Sequence, residues 1–126
     1  MDRPLVGRSI LVVEDQPLIA MGVVQWLEDA GASASLARTL RDALAKVEAP
    51  GLPAAVLEHH LRDGDSSQIC DRLDARNIPF VVYSGYPKLD GPCSEGKQVS
   101  KPVRPEELVV AVVDLLRNRP AHHPAT

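Results

Sequence analysis

Ser9-Ile10-Leu11-Val12-Val13-Glu14-Asp15 is a short apolar run that ends abruptly in two carboxylates. Continuous β-branched and aliphatic residues, with no polar alternation, read as a strand buried on both faces. A parallel sheet covered by helices on either side supplies that environment. Pro17 suits a first helical turn, where its missing N–H is not needed. From Pro17 to Ala30 the residues Leu18, Met21, Val24, Trp26 and Leu27 recur with a helical period, and Gly31 closes the helix.

The same unit repeats outward from this segment. Ser33–Ala37 is a weaker strand, and Thr39 caps a helix over Leu40–Glu48 that Pro50-Gly51 ends. Ala54–Leu57 is a buried strand followed by a polar loop, His59–Asp65. Ser66 or Ser67 begins a third helix with Ile69, Leu73 and Cys70 facing inward. Pro79–Tyr83 is a fourth strand and Gln98–Ser100 a short fifth. The last helix runs from about Pro105 to Arg117, with Leu108, Val109, Val112, Val113 and Leu116 on one stripe. Alternation of this kind specifies an α/β fold with a five-stranded, doubly wound parallel sheet. Between Ser84 and Lys101 the chain is rich in Gly and Pro, so a fourth helix there is expected to be short or irregular. Residues 1–119 form one domain on this reading, and the polar segment 120–126 is expected to be a disordered tail.

Composition narrows the function. The 126 residues carry a net charge of −3, which argues against a nucleic-acid footprint. No stretch is apolar for long enough to span a membrane, and the N-terminus lacks a secretion signal, so a cytoplasmic location is expected. Cys70 and Cys93 have no metal-type spacing and are expected to be two reduced thiols.

In an open α/β sheet, ligands bind at the carboxyl ends of the strands. Here those ends read Glu14-Asp15, Glu58, Ser84 and Lys101-Pro102. Gathered carboxylates repel one another unless a cation compensates, and magnesium suits such a cluster. A lysine and a hydroxyl opposite can hold the oxygens of a phosphoryl group. Neither a dinucleotide-binding glycine loop nor a P-loop follows the first strand. His59 and His60 point apart on an extended segment, and Asp63-Gly64-Asp65 reads as a turn and helix cap.

The ordered set Ile10–Asp15, Leu57-Glu58, Leu61–Gly64, Tyr83-Ser84-Gly85 and Lys101-Pro102 resembles the receiver domains of bacterial two-component response regulators, over about residues 7 to 118. Pro79–Tyr86 also looks like stand-alone receivers with a Phe-Ala-Thr-Gly-type motif after strand four, whose fourth helix is atypical. The resemblance implies a flavodoxin-like receiver fold and a signalling switch rather than an enzyme. It implies a Mg2+ site made by Glu14, Asp15, Glu58 and the backbone carbonyl of His60. It further implies that Ser84 and Lys101 bind the phosphoryl group, that the bond before Pro102 is cis, and that a histidine kinase or histidine phosphotransfer protein is the partner.

One position departs from the family pattern. The phosphoacceptor aspartate is replaced by Glu58, whose carboxylate lies about 1.5 Å further out. Such a displacement is expected to abolish phosphotransfer, leaving a phosphomimetic or non-phosphorylatable receiver that acts by protein–protein contact. Extended in this way, Glu58 can reach toward Lys101. The alternatives are a phosphorylation-independent pseudo-receiver adaptor and a magnesium-dependent phosphatase-like hydrolase. The hydrolase needs a second acid two residues after its nucleophile, and Gln16-Pro17 follows Asp15 instead.

Overall fold

The computed structural model describes residues 3–85 and 91–117. In chain order the elements are β1 (Ser9–Val13), α1 (Pro17–Asp29), β2 (Ser33–Ala37), α2 (Leu40–Lys46), β3 (Ala54–Glu58), β4 (His60–Leu61), β5 (Gly64–Asp65), α3 (Ser67–Ala75), β6 (Phe80–Ser84), a 3-10 turn (Gly91–Glu95), β7 (Lys97–Ser100) and α4 (Pro105–Arg117). Five strands form one parallel sheet in the order β2-β1-β3-β6-β7. That is the doubly wound arrangement expected from the sequence, with its topological switch between β1 and β3.

Strand alternation divides the core in two. Leu11, Val13, Ala55, Leu57 and Val82 face α2 and α3, packing with Ala43, Ile69, Cys70 and Leu73. Ile10, Val12, Val56, Val81 and Tyr83 face α1 and α4, packing with Val23, Leu27, Leu108 and Val112. The edge strands β2 and β7 are half exposed, which explains their weaker apolar signal.

The helix ends show local causes. Thr39 Oγ1 accepts the Asp42 N–H at 3.0 Å, and the Asp63 carboxylate accepts the Leu40 N–H at 2.9 Å. Asp65 caps α3 through the Ser67 N–H at 2.9 Å. Gly31 adopts φ +103°, and a Cβ there would sit 2.6 Å from Val6 Cγ2, so only glycine closes α1.

Several expectations need correction. The buried stripe of α1 is Ala20, Val23 and Leu27, whereas Leu18 and Met21 are exposed. Apolar residues extend around this helix beyond one stripe, so periodicity alone misplaces its inner face. The His59–Asp65 loop contains a small antiparallel hairpin, with His60 opposite Asp65 and Leu61 opposite Gly64. Cys70 and Cys93 are not two thiols: they form a disulfide between α3 and the 3-10 turn, with Cα atoms 5.1 Å apart. Closing a loop of 23 residues in sequence separation stabilises by roughly 3 kcal/mol in the chain-entropy account. The region of the fourth helix holds only the 3-10 turn among the described residues. The tail expected at 120–126 lies outside the described residues.

Candidate functional site

Sheet register brings the expected residues to one rim. Val13 pairs with Leu57, Glu58 with Tyr83, and Ser84 with Ser100. Pairing continues past the strand ends, where Glu14 N–H donates to Ala37 O at 3.0 Å and Lys101 N–H to Ser84 O at 2.9 Å. Glu14, Glu58 and Ser84 are buried, and Asp15 is half-buried. The Lys101–Pro102 bond is cis, in accord with the resemblance.

Each carboxylate has internal partners. Lys101 Nζ forms an ion pair and hydrogen bond with Glu58 Oε1, and the His60 N–H donates to Glu58 Oε2 at 2.9 Å. The Glu58 side chain is 4% exposed and that of Lys101 34%, so the carboxylate end of this pair is buried and the ammonium end is wet. Glu14 Oε1 accepts the Tyr83 hydroxyl and Oε2 the Gln16 N–H at 3.0 Å. Asp15 accepts the Arg62 N–H at 2.7 Å through Oδ2. Burial raises the Glu14 carboxyl above its ordinary 4.5, opposed by the bonds from Tyr83 and Gln16. Desolvation first, then the charge of Glu14, pushes the Tyr83 hydroxyl up, so it stays a donor.

In the sequence Tyr83 stands out only as part of a motif. It reaches Glu14 from two strands away, about 9.5 Å, and only strand order could have revealed this. Tyr83→Phe leaves one oxygen of a buried carboxylate without its partner and should destabilise by about 1–3 kcal/mol at neutral pH. The pH dependence has a definite sign. Below 4.5, Glu14 is protonated in both folded and unfolded chains and its burial carries no ionic penalty. As pH rises through its elevated folded value, that penalty appears and then holds. Losing the tyrosine enlarges it, so the deficit of Tyr83→Phe should grow from acid to neutral pH in denaturant titrations. A deficit independent of pH would contradict this coupling.

His59, expected to point away from its neighbour, does not do so fully. Its ring meets that of His60 edge-on at 4.8 Å, and its Nδ1 is buried without a hydrogen bond. Desolvation lowers its pKa, so the ring is neutral at pH 7.

The Mg2+ site implied by Glu14, Asp15, Glu58 and the His60 carbonyl is not assembled. Among the described residues, no three His, Cys, Asp or Glu side chains gather as a metal-holding group. The physical reason is that the three carboxylates answer to different partners: Glu14 to Tyr83, Asp15 to Arg62, and Glu58 to Lys101. An octahedral ion needs its oxygens convergent on one point. The donor set as arranged does not fit the ion, and Lys101 already pairs with Glu58.

No family profile matches the chain. The phyllosphere-induced regulator PhyR of Methylorubrum extorquens is 30% identical over 130 residues, covering 91% of this chain and 48% of its own. The chain thus spans about half the length of the curated relative it matches. Among solved structures, a CheY-like receiver domain from Methanospirillum hungatei is 24% identical with TM-score 0.79, covering 89% of this chain and 95% of its own. The Francisella response regulator 1452 receiver domain gives 21% and 0.80, over 89% and 98%. The Thermotoga maritima response regulator TrrA, solved with Mg2+ and BeF, gives 20% and 0.78, over 86% and 99%. With its strand order and the four strand-end positions on one rim, the chain has the fold of the response-regulator receiver domains.

Proposed function

We propose that this chain is a receiver module of phosphorelay signalling that acts by protein–protein contact and does not catalyse a reaction of its own. Glu58 occupies the phosphoacceptor position and is not phosphorylated. The proposed partner is a histidine kinase or histidine phosphotransfer protein, in the cytoplasm, with a further protein receiving the output. The observation that carries this reading is the Glu58–Lys101 ion pair. In a phosphorylated receiver the lysine at this place would meet phosphoryl oxygens; here a carboxylate meets it instead. The replacement is partial, because a carboxylate offers one charge and two oxygens against about two charges and three oxygens.

Amide exchange of residues 91–101 tests the reading. It should be compared among the chain as given, Glu58→Ala, and Glu58→Asp loaded with a beryllium fluoride phosphate analogue. Partial mimicry places the given chain between the other two. If it coincides with Glu58→Ala throughout, Glu58 mimics nothing and the phosphorylation-independent adaptor is the better description.

A further inference from the structure

The Cys70–Cys93 bond joins α3 to the 3-10 turn Gly91–Glu95, the described part of the connection between β6 and β7. Cys93 is the sole buried residue between Gly91 and Ser100. It enters the core beside Ile69, Leu73 and Phe80, while the rest of the segment is exposed or half-exposed. Other anchors are few. Gly96 lies flat against the Phe80 ring, where a Cβ would not fit. Ser94 Oγ donates to Gly91 O at 2.6 Å, and Gln98 Nε2 donates to Cys93 O at 2.8 Å, both within the segment itself. Among the described residues, 91–100 is tied to the body of the protein by the β7 ladder, the disulfide, the Gly96–Phe80 contact and the packing of Val99 against the core.

This anchor lies close to the strand-end site. Gly96 and the four residues of β7 connect the turn to Lys101, the cation that holds Glu58. A bond at Cys93 therefore restrains one end of a short lever whose other end is in that site.

We propose that Cys70–Cys93 is a reversible thiol–disulfide site, addressed by a dithiol reductant, whose state sets how firmly residues 91–100 and Lys101 are held. Both cysteines are fully buried, so the bond is reached when the turn lifts from α3. A reductant thiolate then attacks one sulfur, forming a mixed disulfide and releasing the other cysteine as a thiolate. The second reductant thiol displaces the remaining cysteine, and the reductant leaves as its own disulfide. Two electrons and two protons pass from reductant to protein, leaving Cys70 and Cys93 as thiols. In a reducing compartment such bonds are characteristically transient or sensing rather than permanent. The inference stands on the covalent link and the burial pattern, and does not require Glu58 to mimic a phosphoryl group.

The full chain tests it in three forms: oxidised, reduced with dithiothreitol, and with both cysteines replaced by alanine. The oxidised chain should resist iodoacetamide under native conditions, and the reduced chain should take two labels while retaining its fold by circular dichroism. Exchange of amides 91–100 should rise on the order of tenfold on reduction, with β1 and α1 unchanged. The alanine variant should behave like the reduced chain and ignore dithiothreitol. Three results overturn the proposal: labelling of both cysteines without reductant, reduction only when the whole chain unfolds, or exchange of 91–100 that is the same in both redox forms. Repeating the pair of forms in Glu58→Ala separates the two readings, because the redox effect should persist there even if Glu58 proves inert.

Discussion

Incubated with acetyl phosphate in magnesium buffer, the chain gains no acyl-phosphate mass, whereas Glu58→Asp gains it. The transfer requires a carboxylate oxygen to attack phosphorus in line with the departing acetate, forming one O–P bond as the other breaks. Glu58 cannot offer that oxygen. Oε1 is bound to Lys101 and Oε2 to the His60 N–H, and the extra methylene carries both toward the lysine. An aspartate ends about 1.5 Å short of this position, which withdraws the carboxylate from Lys101 and opens space where a phosphoryl group would sit. Misplacement by 1 Å can lower a rate on the order of a hundredfold. The difference between the two chains should be at least that large, read by intact mass within minutes of mixing. A stable adduct on the given chain, mapped to Glu58, would show that the glutamate is a working acceptor. Failure of both chains would locate the defect in the carboxylates that do not converge on a metal, rather than in the length of residue 58.

Much of the architecture was legible because the buried strands are unbroken apolar runs. Ile10–Val13 and Ala54–Leu57 carry no polar residue, and a polar strand end is conspicuous against that background. The rim positions followed directly, since parallel strands bring all their carboxyl ends to one side. Side-chain direction at that rim was not legible. Glu14 and Asp15 are neighbours in sequence, and successive side chains of extended backbone point oppositely. One therefore meets Tyr83 and the other Arg62, so the carboxylates share a rim but have separate hydrogen-bond partners. The disulfide was illegible for a related reason. A separation of 23 residues says nothing of proximity until the turn after β6 is seen to fold back over α3. The exposed Leu18 and Met21 show the limit of helical periodicity where apolar residues lie on several faces of one helix.

Removing Lys101 should destabilise the chain more than removing Lys101 and Glu58 together. In Lys101→Met the carboxylate of Glu58 stays in the rim and keeps, among the described residues, the His60 N–H as a partner. Breaking a buried pair by deleting one partner typically costs about 3–5 kcal/mol. The ammonium here is a third exposed, so solvent screens part of the loss, and roughly 1–3 kcal/mol is expected. Pairing Lys101→Met with Glu58→Met removes the stranded charge and leaves two flexible apolar side chains near the Tyr83 ring. That double variant should recover most of the deficit, giving a coupling energy of about 1–3 kcal/mol in a double-mutant cycle. Urea titrations of the four chains measure it directly. Additive single effects would mean that the ion pair is a surface contact of no consequence and that position 58 tolerates glutamate for some other reason. A strong coupling would mean instead that Glu58 and Lys101 act as one unit. In that case Glu58→Asp alone, which opens the acceptor position, should also lose stability, so gain of phosphotransfer and loss of folding free energy should appear in the same variant.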